Sequence, residues 1–290
     1  MIDFASCLAT ELKPPVSAVP GMTAPNERRL LQWYAERAFS GAGALVDIGS
    51  WLGSATVSLA AGLAARRAPE GAPSKAIHAF DSFVWRDWME PHAPRPGRYR
   101  EGDSFLGEFR ETVAPWRETI RVHAGDLNAA RWSDEPIELI FVDAMKTWSL
   151  ARSIALGFFP SLIARKSFIV HQDIKHHYAP WIHLLMYRLR DHCPPAYDLP
   201  ESSSIVFSVE RVLDARTCEW ACDFPSYSLA EIDDAFRYTM SLCGSKGRRE
   251  IAAARAMLFV HLAKDELRRA RAVHGPGGHG LRAVERYVKG

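Results

Sequence analysis

Five segments of the chain carry residue types from which chemistry could be built. The first is Val46-Asp47-Ile48-Gly49-Ser50-Trp51-Leu52-Gly53, at the end of an apolar run. Glycines at a strand-to-helix turn let backbone approach a ligand closely, and the helix that follows offers free N–H groups. The spacing is G-x-x-x-G, without the third glycine of a dinucleotide turn. Asp47, just before the first glycine, suits a cofactor with a positively charged amino-acid end. A plain tight turn is the other reading of this segment. The second segment is Ala79-Phe80-Asp81-Ser82-Phe83, whose acid falls 34 positions after Asp47. An acid at a strand's carboxyl end can accept hydrogen bonds from ribose hydroxyls, or cap a turn. The third, Ala124-Gly125-Asp126, would set a carboxylate or backbone group near an adenine amine, or simply cap a helix.

The last two segments are Phe141-Val142-Asp143-Ala144-Met145-Lys146 and Ile169-Val170-His171-Gln172-Asp173. Both end apolar runs, and each places an acid where a strand would stop. Asp143 and Asp173 together are a candidate pair of oxygen donors for Mg²⁺ or Ca²⁺, although either alone also serves as a cap. His171, His176 and His177 would add nitrogen ligands and favour a softer metal, or line the rim. Lys146 and His171 are candidates for the base that takes a proton from an acceptor. Trp51, Trp85, Trp88, Trp148 and Trp181 fall near predicted loops, where they would stack on a flat ligand or pack in the core.

These residues need a sheet to bring them together. Short apolar runs predict strands over 44–49, 75–81, 119–124, 137–143 and 167–173, with a closing hairpin over 196–210. Helical periodicity covers 25–40, the small-residue stretch up to Arg66, 105–114, 148–164 and 180–192. Strands alternating with helices predict parallel pairing with right-handed crossovers. Residues 1–24, with Pro14, Pro15 and Pro20, read as a loose N-terminal arm. A Pro/Gly linker follows at 68–74. Residues 84–104 are rich in Pro, Arg, Trp and Gly and too long for a plain connection, so they read as a binding loop or lid. Beyond 210 the character changes: 228–243 and 246–273 are helical, and Gly275-Pro276-Gly277-Gly278 ends the run. The organisation is an arm (1–24), an α/β domain (25–210) and a helical extension (211–290). The fold class is α/β, a Rossmann-like doubly wound and mostly parallel sheet.

The 290 residues are 48% hydrophobic and 24% charged, with a formal net charge of +2. This is globular composition, and it gives no electrostatic reason to expect a nucleic-acid partner. The five cysteines, Cys7, Cys193, Cys218, Cys222 and Cys243, are odd in number and loosely spaced, so they predict neither a disulfide framework nor a zinc site. The start Met1-Ile2-Asp3-Phe4 is unlike a signal peptide, and no apolar run is long enough to span a bilayer. The expectation is a cytoplasmic protein with a small-molecule partner. The C-terminal helices are the surface for any self-association.

The order of motifs resembles that of class I S-adenosylmethionine-dependent methyltransferases over about residues 25–210. Within that class, residues 141–148 look like the F-V-D-A-D-K-x-x-Y segment of caffeoyl-CoA-type, cation-dependent O-methyltransferases. Phe80-Asp81-Ser82-Phe83 resembles the F-D-S-F of macrocin-type sugar O-methyltransferases. The resemblance implies that Asp47, Gly49, Ser50, Trp51 and Gly53 surround the methionine part of the cofactor. It likewise implies that Asp81 and Ser82 face the ribose, that Asp126 lies on the adenine side, and that Asp143 contributes near the cofactor. Asp143 and Asp173 match metal-ligand positions, and Lys146 matches a lysine near the acceptor hydroxyl. Two departures stand out: Met145 replaces the second acid of the caffeoyl-type motif, and the neutral Gln172 falls within the pair that completes the metal site. The activity implied is methylation of a hydroxyl on a sugar or phenol, with a divalent ion assisting. The rivals are an NAD(P)-dependent oxidoreductase, an inactive methyltransferase-like binding module and, more distantly, a metal hydrolase.

Overall fold

In β1 (Ala44–Ile48), β2 (Ile77–Asp81) and β4 (Ile137–Val142) every residue is buried. Strands without a polar face belong inside a sheet covered on both sides. The computed structural model describes residues 2–66, 76–132 and 135–274, with backbone only for 265–274. It joins these strands with β3 (Ile120–Ala124), β5 (Phe168–His171), β6 (Pro195–Asp198) and β7 (Ile205–Ser208) into a seven-stranded sheet of order β3-β2-β1-β4-β5-β7-β6. The first five strands are parallel, and β7 runs antiparallel to both β5 and β6. This is the Rossmann-like, doubly wound architecture that the alternating elements predict. From β1 the chain winds outward through β2 and β3, then returns to the other side as β4 and β5. The crevice beyond the carboxyl ends of β1 and β4 is therefore the topological switch point, where such sheets bind ligands.

The register sets the level of that crevice. Ile48 pairs with Phe80 and with Val142, and Val142 pairs with His171. The next residue on each strand, Gly49, Asp81, Asp143 and Gln172, thus emerges at one edge.

Helices α1 (Pro25–Trp33) and α2 (Ser54–Ala65) cover one face. Their closeness depends on Gly62, where a Cβ would sit 2.2 Å from the carbonyl oxygen of Gln32. Next in chain order come α3 (Leu106–Val113), α4 (Trp148–Phe158), α5 (Pro180–Arg188), α6 (Ala215–Ala221), α7 (Leu229–Ser241) and α8 (Ser245–His274). Helix α5 packs on α4, α7 and α8, so the C-terminal helices continue the layer over β4 and β5. Arg188 fastens α7 through Glu231, with Nε–Oε1 at 2.8 Å and Nη2–Oε2 at 3.0 Å.

Several elements differ from the sequence reading. The arm is not loose. Phe4–Ala9 and Val16–Ala18 form 3-10 turns that bury Phe4, Cys7 and Val16. The buried guanidinium of Arg28 donates to the carbonyls of Val16, Val19, Gly21 and Thr23. An arginine on the next helix thus supplies the partners that a proline-rich segment cannot find within itself. The predicted helix 25–40 changes after Trp33 to a π turn over Tyr34–Ala38. The predicted helix 148–164 stops at Phe158, and 180–192 stops at Arg188. Helix α6, seven residues capped by Asp214, is too short to show periodicity and was not anticipated. The linker 68–74 and the segment Gly275–Gly278 lie outside the described residues. All five cysteines are free and buried. Among the described residues no helix is long and apolar enough to cross a membrane.

Candidate active site

At the switch point lies a cavity of about 530 Å³, within the range of small-molecule sites. Its floor is the first turn. Gly49 has φ of +90°, and a Cβ there would meet the Asp143 carbonyl oxygen at 2.5 Å, so only glycine lets β1 and β4 approach this closely. Trp51 is also held at positive φ, +43°. What holds it is its own N–H, which donates to Asp81 Oδ2 at 2.9 Å. Asp81 Oδ1 accepts from the Phe83 N–H at 2.7 Å. The ends of β1 and β2 are thereby tied together, and Asp81 retains unused lone pairs at the cavity wall. Burial raises its pKa, and the N–H donors of Phe83 and Trp51 pull the other way. Gly49, Trp51, Asp81, Ser82, Asp143 and Lys146 all line the cavity. Ser50 and Gly53 belong to the same turn, closed by the Gly53 N–H on the Ser50 carbonyl at 2.8 Å.

Asp47 lies beneath that turn, fully buried. Its Oδ2 accepts from the Thr56 hydroxyl, while Oδ1 has no partner among the described residues. Burial pushes its carboxyl up to about 7, against the pull of Thr56 and Ser50. A buried oxygen left without a partner is what a cationic ligand group would satisfy, directly or through water. The residues of the turn therefore fit a cofactor with an ammonium end and a ribose.

The other side of the cavity is built from the ends of β4 and β5 and the loops that follow them. Lys146 Nζ lies 2.7 Å from Asp143 Oδ1 and also bonds Asp173 Oδ2. Tyr178 donates its hydroxyl to Asp173 Oδ1 at 2.8 Å. The Gln172 amide, with its NH₂ turned toward the acids, is 2.6 Å from Asp143 Oδ1 and 2.9 Å from Asp173 Oδ1. Asp173 is reached through a left-handed residue conformation, φ +70°. Burial drives the Asp143 carboxyl well above its ordinary range; Lys146 opposes this and Asp173 adds to it. Burial works against the Lys146 ammonium, but Asp143 and Asp173 outweigh it and raise its pKa. Tyr178 is likewise raised by burial, so it stays a neutral phenol and a donor.

This arrangement does not fit a divalent ion between Asp143 and Asp173. The ammonium of Lys146 already bridges the two carboxylates, and the remaining neighbours, Gln172 and Tyr178, present donors. With Met145 in place of an acid, the cluster carries two carboxylates and one built-in cation.

Asp173 sits behind Lys146 and Tyr178 and does not itself line the cavity, and neither do two further predicted residues, His171 and Asp126. His171 is fully buried beside Phe159 and Phe207, with ring centroids 6.2 and 6.0 Å away, and neither ring nitrogen has a hydrogen-bond partner among the described residues. Its placement follows from strand alternation: His171 turns into the core while the next residue, Gln172, lines the cavity. Burial pushes its pKa down to about 3, so the ring is neutral. Asp126 caps its own turn, accepting from the Asn128 N–H at 2.9 Å, and its neighbour Leu127 lines the cavity instead.

The segment 84–104 stands over the opening. Arg86, Trp88, Met89 and His92 face the cavity. The segment is anchored on α3 by Glu108, which accepts from Arg95 at 2.6 Å and Tyr99 at 2.8 Å and pairs with Arg98 at 3.1 Å. Trp85 is buried against Tyr99, with centroids 5.2 Å apart, and holds the segment from below. Sequence reading missed Tyr178 and Glu27. Glu27 is fully buried, accepting from the Ala24 N–H at 2.7 Å and the Ser204 hydroxyl at 2.6 Å. An acid three residues into a helix is an ordinary cap signal, and nothing in the string distinguishes one that also reaches the hairpin. Tyr178 had no spacing signal at all.

No protein-family model matches the chain, and neither does any curated protein sequence. Solved structures similar to it include a calicheamicin methyltransferase, 14% identical over 71% of this chain and 89% of that one, with a TM-score of 0.48. A second structure of a calicheamicin-biosynthesis enzyme, named as a TDP-rhamnose 3′-O-methyltransferase, is 13% identical over 71% and 91% of the two chains, also at 0.48. A methyltransferase from Geobacter sulfurreducens is 14% identical over 73% and 98%, at 0.42. All three of these structures are of methyltransferases.

Proposed function

We propose that this protein is an S-adenosylmethionine-dependent O-methyltransferase acting on a small hydroxylated acceptor, a phenol or a sugar. The observation that supports it most is the shared register of β1, β2 and β4, which sets Gly49, Asp81 and Asp143 around one cavity. S-adenosylmethionine, when bound, supplies a sulfonium-activated methyl group. Gly49, Ser50, Trp51 and Gly53 would hold its amino-acid end, with Asp47 balancing the ammonium from below, and Asp81 and Ser82 would hold its ribose.

The acceptor hydroxyl must lose a proton as its oxygen attacks. Lys146 is held as an ammonium, so it donates and stabilises the developing negative charge. His171 is buried out of reach. Asp143, with its raised affinity for a proton, is the group left to act as base. Tyr178 and Gln172 fix the acids around the lysine. Met22, Trp88, Met89 and Leu150 line the same cavity and keep water from the reacting oxygen. Alignment of acceptor and donor carries much of the rate, since positioning alone can supply on the order of 7–11 kcal/mol. No metal enters this scheme, because Lys146 occupies the position between the acids. We also propose self-association through the C-terminal helices, where Met257 and Val260 of α8 are partly exposed.

The test is equilibrium dialysis of the full chain with S-adenosylmethionine and, separately, NAD⁺, followed by transfer of labelled methyl to a panel of phenols and sugars. The expected result is saturable binding of S-adenosylmethionine alone, weakened at least tenfold by Asp81→Ala, with transfer to at least one acceptor. Binding of NAD⁺ instead, or of neither, would overturn the assignment. Binding without transfer to any acceptor would support the inactive binding module.

A further inference from the structure

Beyond the cavity, the loop after β5 and the first turns of α8 bring His176, His177 and Glu250 together. One ligand atom from each lies within 4.8 Å of the others. His177 Nδ1 and Glu250 Oε2 are 3.3 Å apart. Ligands about 2.0–2.2 Å from a tetrahedral zinc ion stand roughly 3.3–3.5 Å from each other. That pair is therefore already at metal-binding separation, and the third ligand has to close by at most about 1.5 Å. Nδ1 of His176 is buried and has no hydrogen-bond partner among the described residues, so that edge of the ring is uncommitted there. His177 and Glu250 are about half exposed, with side chains 48% and 42% accessible, which leaves room for ion entry and for water as the remaining ligand.

We propose that His176, His177 and Glu250 bind one divalent transition-metal ion, of which Zn²⁺ is the representative. Two imidazoles and one carboxylate form a borderline donor set, which takes Zn²⁺ and its neighbours in preference to the harder Mg²⁺ and Ca²⁺. The site is separate from Asp143 and Asp173, which Lys146 bridges, and its occupation does not depend on the methyl-transfer assignment.

The placement gives the ion a mechanical role. Glu250 belongs to α8, whereas His176 and His177 lie between Asp173 and Tyr178. The His176 ring packs on Tyr178, with centroids 4.2 Å apart, and the His176 N–H donates to the Asp173 carbonyl at 2.8 Å. A metal here fastens the C-terminal helix to the loop that sets the Asp173–Tyr178 hydrogen bond.

The experiment is calorimetric titration of the chelator-treated full chain with Zn²⁺ alone, with Mg²⁺ as the control ion and the visible spectrum of Co²⁺ as a second readout. The expected result is one Zn²⁺ per chain, no response to Mg²⁺, and Co²⁺ bands in the visible region. His177→Ala and Glu250→Gln should each weaken Zn²⁺ binding at least tenfold, while Asp143→Asn should leave it unchanged. Both replaced side chains are solvent-accessible, and the metal-free melting temperature of each variant shows that it folds. The proposal is overturned by absence of saturable binding, by His177→Ala and Glu250→Gln binding like the parent, or by loss of binding in Asp143→Asn.

Discussion

Lys146 and Asp173, 27 positions apart in the chain, are bonded side chain to side chain, with Asp143 on the other flank of the same ammonium. The carboxylates lie just beyond the ends of the adjacent parallel strands β4 and β5, and the lysine follows Asp143 in the loop after β4. Removing the lysine strands two buried acids. Lys146→Met should therefore lower stability by about 3 kcal/mol, near the lower end of what breaking a buried pair costs, because the lysine is one-third accessible. Methyl transfer should fall at least a hundredfold, while cofactor affinity, set at the other end of the cavity, should change less than threefold. Urea unfolding and single-turnover kinetics measure the two effects. Retained turnover would remove Lys146 from the chemistry.

The same bridge predicts the response to metal. Saturating Mg²⁺ should leave the rate of methyl transfer within twofold of the metal-free rate, because the place between Asp143 and Asp173 is taken. A rate that rises tenfold or more with Mg²⁺ would mean that the lysine swings out and an ion replaces it.

His171 separates a core residue from a catalytic one. A buried imidazole with both nitrogens unpartnered costs stability, and an apolar side chain of similar volume removes that cost. His171→Leu should leave activity within threefold and keep or raise the melting temperature. A loss of two orders of magnitude with the fold intact would restore the histidine as a base.

Much of this site was legible in the string, and the reasons differ by residue. Gly49, Asp81 and Asp143 line one cavity because each stands at the end of a largely apolar, buried strand, and parallel strands deliver their ends to one edge whatever the loops do. His171 carries no sequence signal of its burial: it sits one residue before that edge, where alternation turns the side chain inward. Asp126 ends a strand too, but β3 is the edge strand, and its acid turns back onto Asn128. The bridging role of Lys146 and the hydrogen bond of Tyr178 depend on tertiary placement of loops, which carries no period in sequence. The order of the arm is hidden in the string for a related reason: its carbonyls are satisfied by Arg28, an element away.

Asp47 makes stability depend on pH. Its carboxyl titrates at an ordinary 3.8 when the chain is unfolded and at about 7 when folded. The folded state thus holds the proton more tightly. The contribution is fully present below about pH 4 and is lost as pH rises through 7. A shift of this size corresponds to about 4 kcal/mol at most. The ligand-free protein should therefore melt at a lower temperature at pH 8 than at pH 5.5, and Asp47→Asn should flatten that slope. A slope unchanged in Asp47→Asn would assign the dependence to other groups.

Gly49 is the most constrained position of the turn. Alanine there suffers twice: φ of +90° is disfavoured for a residue with a Cβ, and that Cβ would lie 2.5 Å from the Asp143 carbonyl oxygen. The backbone strain alone is worth about 1–2 kcal/mol, and the contact forces β1 and β4 apart at the level where the cavity begins. Gly49→Ala should therefore lower stability by at least about 2 kcal/mol and weaken S-adenosylmethionine binding more than tenfold. Gly97→Ala serves as the control, since Gly97 also has positive φ, +75°, but nothing lies within 4 Å of an added Cβ. It should show the strain without the loss of binding. Equal effects of the two substitutions on binding would mean that the close approach of β1 to β4 does not shape the cofactor site.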